Sequence, residues 1–173
     1  MIDFSRNHFQ LFGLPARYRV DQDALDAAYR ALQSEVHPDR FAGASDADKR
    51  LALQASARVN EAYRALKDPV QRAQYFLSLK GVDAVGETDT QLPLEFLERQ
   101  LERREEASEA LANEDERTLS SLRDTVRAEA RELEDCLARD LDGDFASARP
   151  RVRELTFLAK LADDIDAMAA SLD

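Results

Sequence analysis

A chain of 173 residues with a formal net charge of −11, a single cysteine and no tryptophan can bury one sizeable core or two small ones. The lone Cys136 excludes an intramolecular disulfide framework and cysteine-pair zinc sites, and no stretch approaches the ~20 apolar residues that span a bilayer. Charge is divided unevenly: residues 1–80 hold 12 Lys+Arg against 10 Asp+Glu, and residues 81–173 hold 12 against 25. That division points to two modules with different partners, and the acidic second half disfavours nucleic acid, whose phosphates it would repel.

In chain order, Phe9, Leu11, Phe12 and Leu14 form a short apolar segment stopped by Gly13 and Pro15. Asp21 caps a helix with Ala24, Leu25, Ala28, Leu32 and Val36 at helical spacing. Pro38 pushes the residue before it out of the α region, so that helix stops at His37. Phe41 to Ser45 reads as a loop. Ser45 or Asp46 then opens a second helix through Leu51, Ala55, Val59, Ala62 and Leu66. Asp68-Pro69 starts a third, with Ala73, Phe76, Leu77 and Leu79, and Gly81 suits the left-handed residue beyond its end.

Residues 82–92 read as a linker. Three longer helices follow, near 93–112, 115–141 and 146–172, and the short polar breaks between them predict an antiparallel three-helix bundle. The middle helix repeats Leu119, Leu122, Val126, Ala130, Leu133, Leu137 and Leu141 at spacings of three and four. Pro150 means that the last helix either starts late or kinks. No strand alternation appears, and the expected class is all-α.

The chemistry-bearing residues are few. His37 and Asp39 sit at a proline-enforced helix stop, but acid–base or nucleophilic catalysis would need a pocket and a reactive Ser, Cys or Lys beside them. Cys136 lies beside the Leu133/Leu137 stripe, where a buried structural thiol is expected. His8 has no ligand-spaced neighbour, so no metal site is expected. An enzyme using Cys136 and His37 would draw on two different modules. The expectation is a protein that binds and turns over nothing, with no cofactor.

The order of motifs narrows this. Glu35-Val36-His37-Pro38-Asp39-Arg40-Phe41 is followed by Val59-Asn60-Glu61-Ala62-Tyr63-Arg64-Ala65-Leu66-Lys67-Asp68-Pro69 and then Arg72-Ala73-Gln74-Tyr75. The chain resembles the J-domain of heat-shock co-chaperones, in which a His-Pro-Asp loop joins two helices of a hairpin. With Phe9-Gln10-Leu11-Phe12-Gly13-Leu14-Pro15, Tyr75-Phe76-Leu77-Ser78-Leu79-Lys80-Gly81 and the acidic helical tail, it resembles the HscB-type J-domain co-chaperones of iron–sulfur cluster assembly. The resemblance covers essentially the whole chain, most specifically residues 9–81.

The resemblance implies a J-domain over 1–81, the linker over 82–92 and a three-helix bundle for client binding over 93–173. The J-domain would dock on an HscA-type heat-shock chaperone and stimulate its ATPase through His37, Pro38 and Asp39. In this family basic residues on the preceding helix assist, and here that helix has only Arg30, with Arg40 after the loop. That departure implies weaker electrostatic attraction or a differently charged partner. The bundle would bind an IscU-type cluster scaffold through Leu97, Leu101 and Phe157, with Glu102, Glu105 and Glu109 as an acidic rim. The helical wheel sets Val152, Leu155, Ala159, Ala162, Ile165 and Ala169 on one face of the last helix, with Phe157 roughly opposite. It leaves the placement of Leu97 and Leu101 open between surface and core. A general J-domain protein with another client, or a purely structural interaction module, is the alternative. Arg outnumbers Lys 20 to 4, and without a presequence the expected location is a bacterial cytoplasm, away from membranes.

Overall fold

The structure is a computed structural model that describes residues 2–83, 92–141 and 143–172. It is all-helical among these residues and divides into two compact units, Met1–Leu79 and Lys80–Asp173. Most of the expected linker, residues 84–91, lies outside the described residues.

The first unit holds α1 (His8–Leu11), α2 (Gln22–Val36), a 3₁₀ turn (Pro38–Phe41), α3 (Asp46–Lys67) and α4 (Pro69–Leu79). Its helix ends follow local chemistry. Asp21, Ser45 and Asp68 each accept a backbone N–H of the first turn they open, satisfying donors that have no intrahelical partner. Gly13 and Gly81 take φ of +67° and +74°, the left-handed region that only glycine enters without strain. Phe9, Leu25, Val59, Ala62, Leu66, Ala73 and Leu77 are fully buried. Leu79, expected to continue the apolar face of α4, is instead 41% exposed, because the helix ends there and Gly81 turns the chain away.

Three pairings set the register of α2 on α3. Asp26 bonds Tyr63 and Lys67, Tyr29 bonds Asn60, and Gln33 bonds Asn60 and Ser56. Rising numbers on α2 meet falling numbers on α3, so the pair is antiparallel. The rings of Tyr29 and Tyr63 stack at 4.0 Å between centroids, a contact worth about 1 kcal/mol beyond its buried area. Asn60 and Tyr63 of the Asn-Glu-Ala-Tyr motif are therefore the groups that seat α2.

His8 is 5% exposed, its ring stacked on Tyr75 at 3.9 Å, and its Nδ1 has no hydrogen-bond partner. Burial depresses its pKa below the usual 6.5, and the Arg58 guanidinium adds to this while Glu61 opposes it. The folded unit thus takes up a proton on His8 less readily than the unfolded chain, which protonates it as pH falls through the ordinary imidazole range. Stability contributed this way is present above that range and is lost as pH falls toward the depressed folded value. In urea unfolding at about pH 7.5 and about pH 5.5, His8→Phe should lose less stability on acidification than wild type. An identical loss in both proteins would show that His8 is not the titrating group. All four tyrosines (Tyr18, Tyr29, Tyr63 and Tyr75) lie in this unit and none in the second, so tyrosine fluorescence follows this unit alone.

The second unit holds α5 (Leu94–Ala112), α6 (Glu116–Asp140) and α7 (Phe145–Ala170). Arg123 and Arg127 pair with Asp166 while Arg151 pairs with Asp140, so α6 and α7 are antiparallel. Phe96 meets Phe157 and Arg104 meets Asp164, so α5 and α7 run the same way, as an up–down–up bundle requires. Asp115 and Asp144 cap α6 and α7, and Glu114 takes the left-handed conformation (φ 55°) in the tight turn after α5. The last helix does not start late: it begins at Phe145 and runs through Pro150. Proline's missing N–H leaves the Ala146 carbonyl without its usual partner.

Candidate functional site

The His37-Pro38-Asp39 turn follows from three local constraints. Pro38 forces His37 into extended backbone, at φ −58° and ψ 128°, and its own fixed φ suits the first position of the 3₁₀ turn. The His37 carbonyl accepts from the Arg40 N–H at 3.0 Å, and the His37 Nδ1 accepts from the Asp39 N–H at 3.3 Å. A ring accepting at Nδ1 carries its proton on Nε2, which becomes the donor left for other contacts. The Arg40 guanidinium reaches back to the Ser34 carbonyl at 3.2 Å, satisfying one of the four acceptors exposed at the end of α2.

The outcome is a turn whose shape is held by its own backbone while its reactive edges face water. The side chains of His37 and Asp39 are 50% and 89% exposed, and the Asp39 carboxylate lies 3.5 Å from the His37 Nδ1. Beside the turn, Tyr29, Arg30, Gln33, Ser34, His37 and Arg40 line one shallow hollow on α2. Arg30 and Arg40 thus meet at the same place as His37, and the fully charged side chains lining it are both cationic. Tyr29 and Gln33 also line it and are not picked out by the sequence; the structure ties both to Asn60 of the facing helix. Such a surface is suited to a carboxylate-bearing partner.

On the second unit, Leu94, Leu97 and Leu101 follow one line of α5 and are 70%, 39% and 59% exposed. The question left open by the wheel is thereby answered: the buried side of α5 is Phe96, Gln100, Ala107 and Ala110. Glu98, Glu102, Glu105 and Glu109 are exposed around the leucines. Leu94 extends the apolar line by one residue that sequence reasoning assigned no role.

Phe157 departs from expectation. It is half-buried and packs against the bundle core, its ring edge-to-face with Phe96 at 5.7 Å and the Arg104 guanidinium 5.3 Å above it. Leu158 and Leu161 are fully buried and belong to the apolar face of α7, which moves the centre of that face toward Phe157. Phe157 stands at its edge, on the side toward Arg104. Cys136 is likewise half-buried rather than enclosed, its Sγ accepting from Arg139 at 3.1 Å. Near it, burial raises the pKa of the Glu154 carboxyl, an effect that Arg151 opposes. Among the described residues, no three His, Cys, Asp or Glu side chains converge as a metal site would require, and no helix is long and apolar enough to cross a membrane.

Two protein families match the chain: the DnaJ domain over residues 7–75 and the HSCB C-terminal oligomerisation domain over residues 92–166. A co-chaperone protein HscB homolog from Azoarcus sp. (strain BH72) is 45% identical over 99% of this chain and 98% of its own. Chaperone HscB from Vibrio cholerae superposes with a TM-score of 0.86 at 36% identity, covering 97% of this chain and all of the other. Human co-chaperone HscB gives 0.87 at 29% identity, covering 95% and 83% respectively.

Proposed function

Because the chain belongs to the HscB family of co-chaperones and carries the family's J-domain, we propose that it couples a chaperone ATPase to a client in iron–sulfur cluster assembly. The J-domain stimulates ATP hydrolysis by an HscA-type chaperone, with His37, Pro38 and Asp39 as the contact and Arg30 and Arg40 as its cationic flank. The bundle carries an IscU-type scaffold on Leu97, Leu101 and Phe157, rimmed by Glu102, Glu105 and Glu109.

The observation that carries this reading is the self-held turn. Its Nε2–H and its carboxylate are offered to solvent while its shape is set internally, so docking orders few groups and loses little entropy. The chain's part in turnover is positional. Holding client and chaperone on one molecule raises their effective concentration, to the millimolar range for short flexible connections, and the turn biases the chaperone toward hydrolysis.

The test is steady-state ATP hydrolysis by an HscA-type chaperone with and without this protein and an IscU-type scaffold. Wild type should accelerate hydrolysis, more so with scaffold, and His37→Gln should return the rate to the chaperone's own. Failure of wild type to stimulate, or equal stimulation by His37→Gln, would remove the assignment. Stimulation that scaffold never enhances would leave a J-domain protein serving another client.

A further inference from the structure

Directly behind the His37–Arg40 turn the first unit contains a hollow of about 360 Å³, at the lower end of the size of small-molecule sites. Val36 and Phe41, the residues that bracket the turn, form part of its wall. Ile2, Leu32, Phe41 and Leu51 line it and are only half-buried, and Phe4 is 44% exposed, although each is apolar. Leu11, Ala52 and Ala55 close it from below and are buried. A continuous apolar lining left open to water in a small unit is an unfavourable arrangement, and exposed apolar patches of this kind mark binding sites.

The charges on the lining give the ligand its sign. Asp3, Glu35 and Asp48 contribute three carboxylates against one guanidinium, Arg6, which is paired with Asp3 at 3.6 Å. Asp48 accepts the Ser45 hydroxyl at 2.6 Å, a neutral partner that leaves its charge in place. Glu35 is exposed on the last turn of α2, next to the residues that define the His-Pro-Asp turn.

We propose that this hollow is a binding site for a small amphiphilic cation, an apolar body seated against Leu32, Leu51 and Phe41 with its charge toward Glu35 and Asp48. Because Val36 and Phe41 are both wall and bracket, an occupant there bears on the turn from behind. The site is independent of the partner assignments above: it requires neither chaperone nor scaffold.

The experiment is a residue-resolved NMR titration of the full chain with octylamine, octanol and octanoate. Octylamine should give saturable shifts at Leu32, Phe41, Leu51 and Ala55, accompanied by shifts at His37–Arg40. It should bind about two- to fivefold more tightly than octanol, the worth of an exposed ion pair, with octanoate weakest. Glu35→Gln, a surface change, should narrow the gap between amine and alcohol, and Ala52→Leu should weaken all three by filling the hollow. Absence of saturable shifts there, shifts only along Leu94, Leu97 and Leu101, or an unchanged amine preference in Glu35→Gln would overturn the proposal. Binding that leaves His37–Arg40 unmoved would overturn its bearing on the turn. Should Ala52→Leu not fold, Glu35→Gln decides alone.

Discussion

Arg72→Leu is expected to destabilise the first unit by about 2–3 kcal/mol and to leave the second unfolding as before. Arg72 is 6% exposed, and its guanidinium donates to the Leu66 carbonyl at 2.8 Å. That carbonyl is among the last four of α3 and has no intrahelical partner. The same guanidinium centre stands 4.9 Å from the ring of Tyr18, itself 4% exposed. Leucine would orphan a buried acceptor, costing about 1–3 kcal/mol, and remove a cation–π contact of about 0.5–2 kcal/mol. Relief from burying a charge whose Nε is unpartnered works the other way and keeps the net at the lower half of that sum. Tyrosine fluorescence reports this unit alone, so the shift appears there, while in far-UV circular dichroism, to which both helical units contribute, only the part of the transition that coincides with the fluorescence change should move. Equal midpoints for wild type and Arg72→Leu by tyrosine fluorescence would show that Arg72 is incidental to the junction of α3 and α4.

Phe96→Ala and Leu101→Ala should behave oppositely despite lying five residues apart on α5. Phe96 is 3% exposed in the bundle core and supports the Phe157 ring, so its truncation should cost the second unit about 3–5 kcal/mol. Leu101, at 59% exposure, should cost within about 0.5 kcal/mol and weaken scaffold binding by itself. Calorimetry for binding and chemical unfolding by circular dichroism separate the two effects. A destabilised Leu101→Ala, or one that binds scaffold as wild type does, would remove the leucine line from the proposed interface.

These pairs show where the sequence is a good guide and where it is not. Helix ends could be read because each is decided within four residues, as at Asp21, Ser45, Asp68-Pro69 and Gly81. The His37 stop was equally legible, since proline acts on its immediate neighbour. Faces were harder. Periodicity gives an arc, and the arc shifts if two leucines are left out, which is how Phe157 came to be placed away from a core it touches. Leu97 and Leu101 could not be sorted at all, because α5 is polar enough to bury either of two lines. What was least visible was pairing across the hairpin: nothing in the run of residues says that Asn60 would meet both Tyr29 and Gln33. Arg72 was noticed as part of a motif, but its burial depends on Tyr18, more than fifty residues earlier.

The turn at His37 has a property that bears on how such a module can change over time. Its bonds, from Asp39 to His37, Arg40 to His37, Arg40 to Ser34 and Ala42 to Asp39, all close within nine consecutive residues, 34–42. Shape is therefore stored locally, while Arg30, one of the two cations beside it, is stored two turns back on α2. The two can drift separately. Changing the cations of that helix, where Arg30 is the one Lys or Arg, would retune attraction to a partner without redrawing the turn.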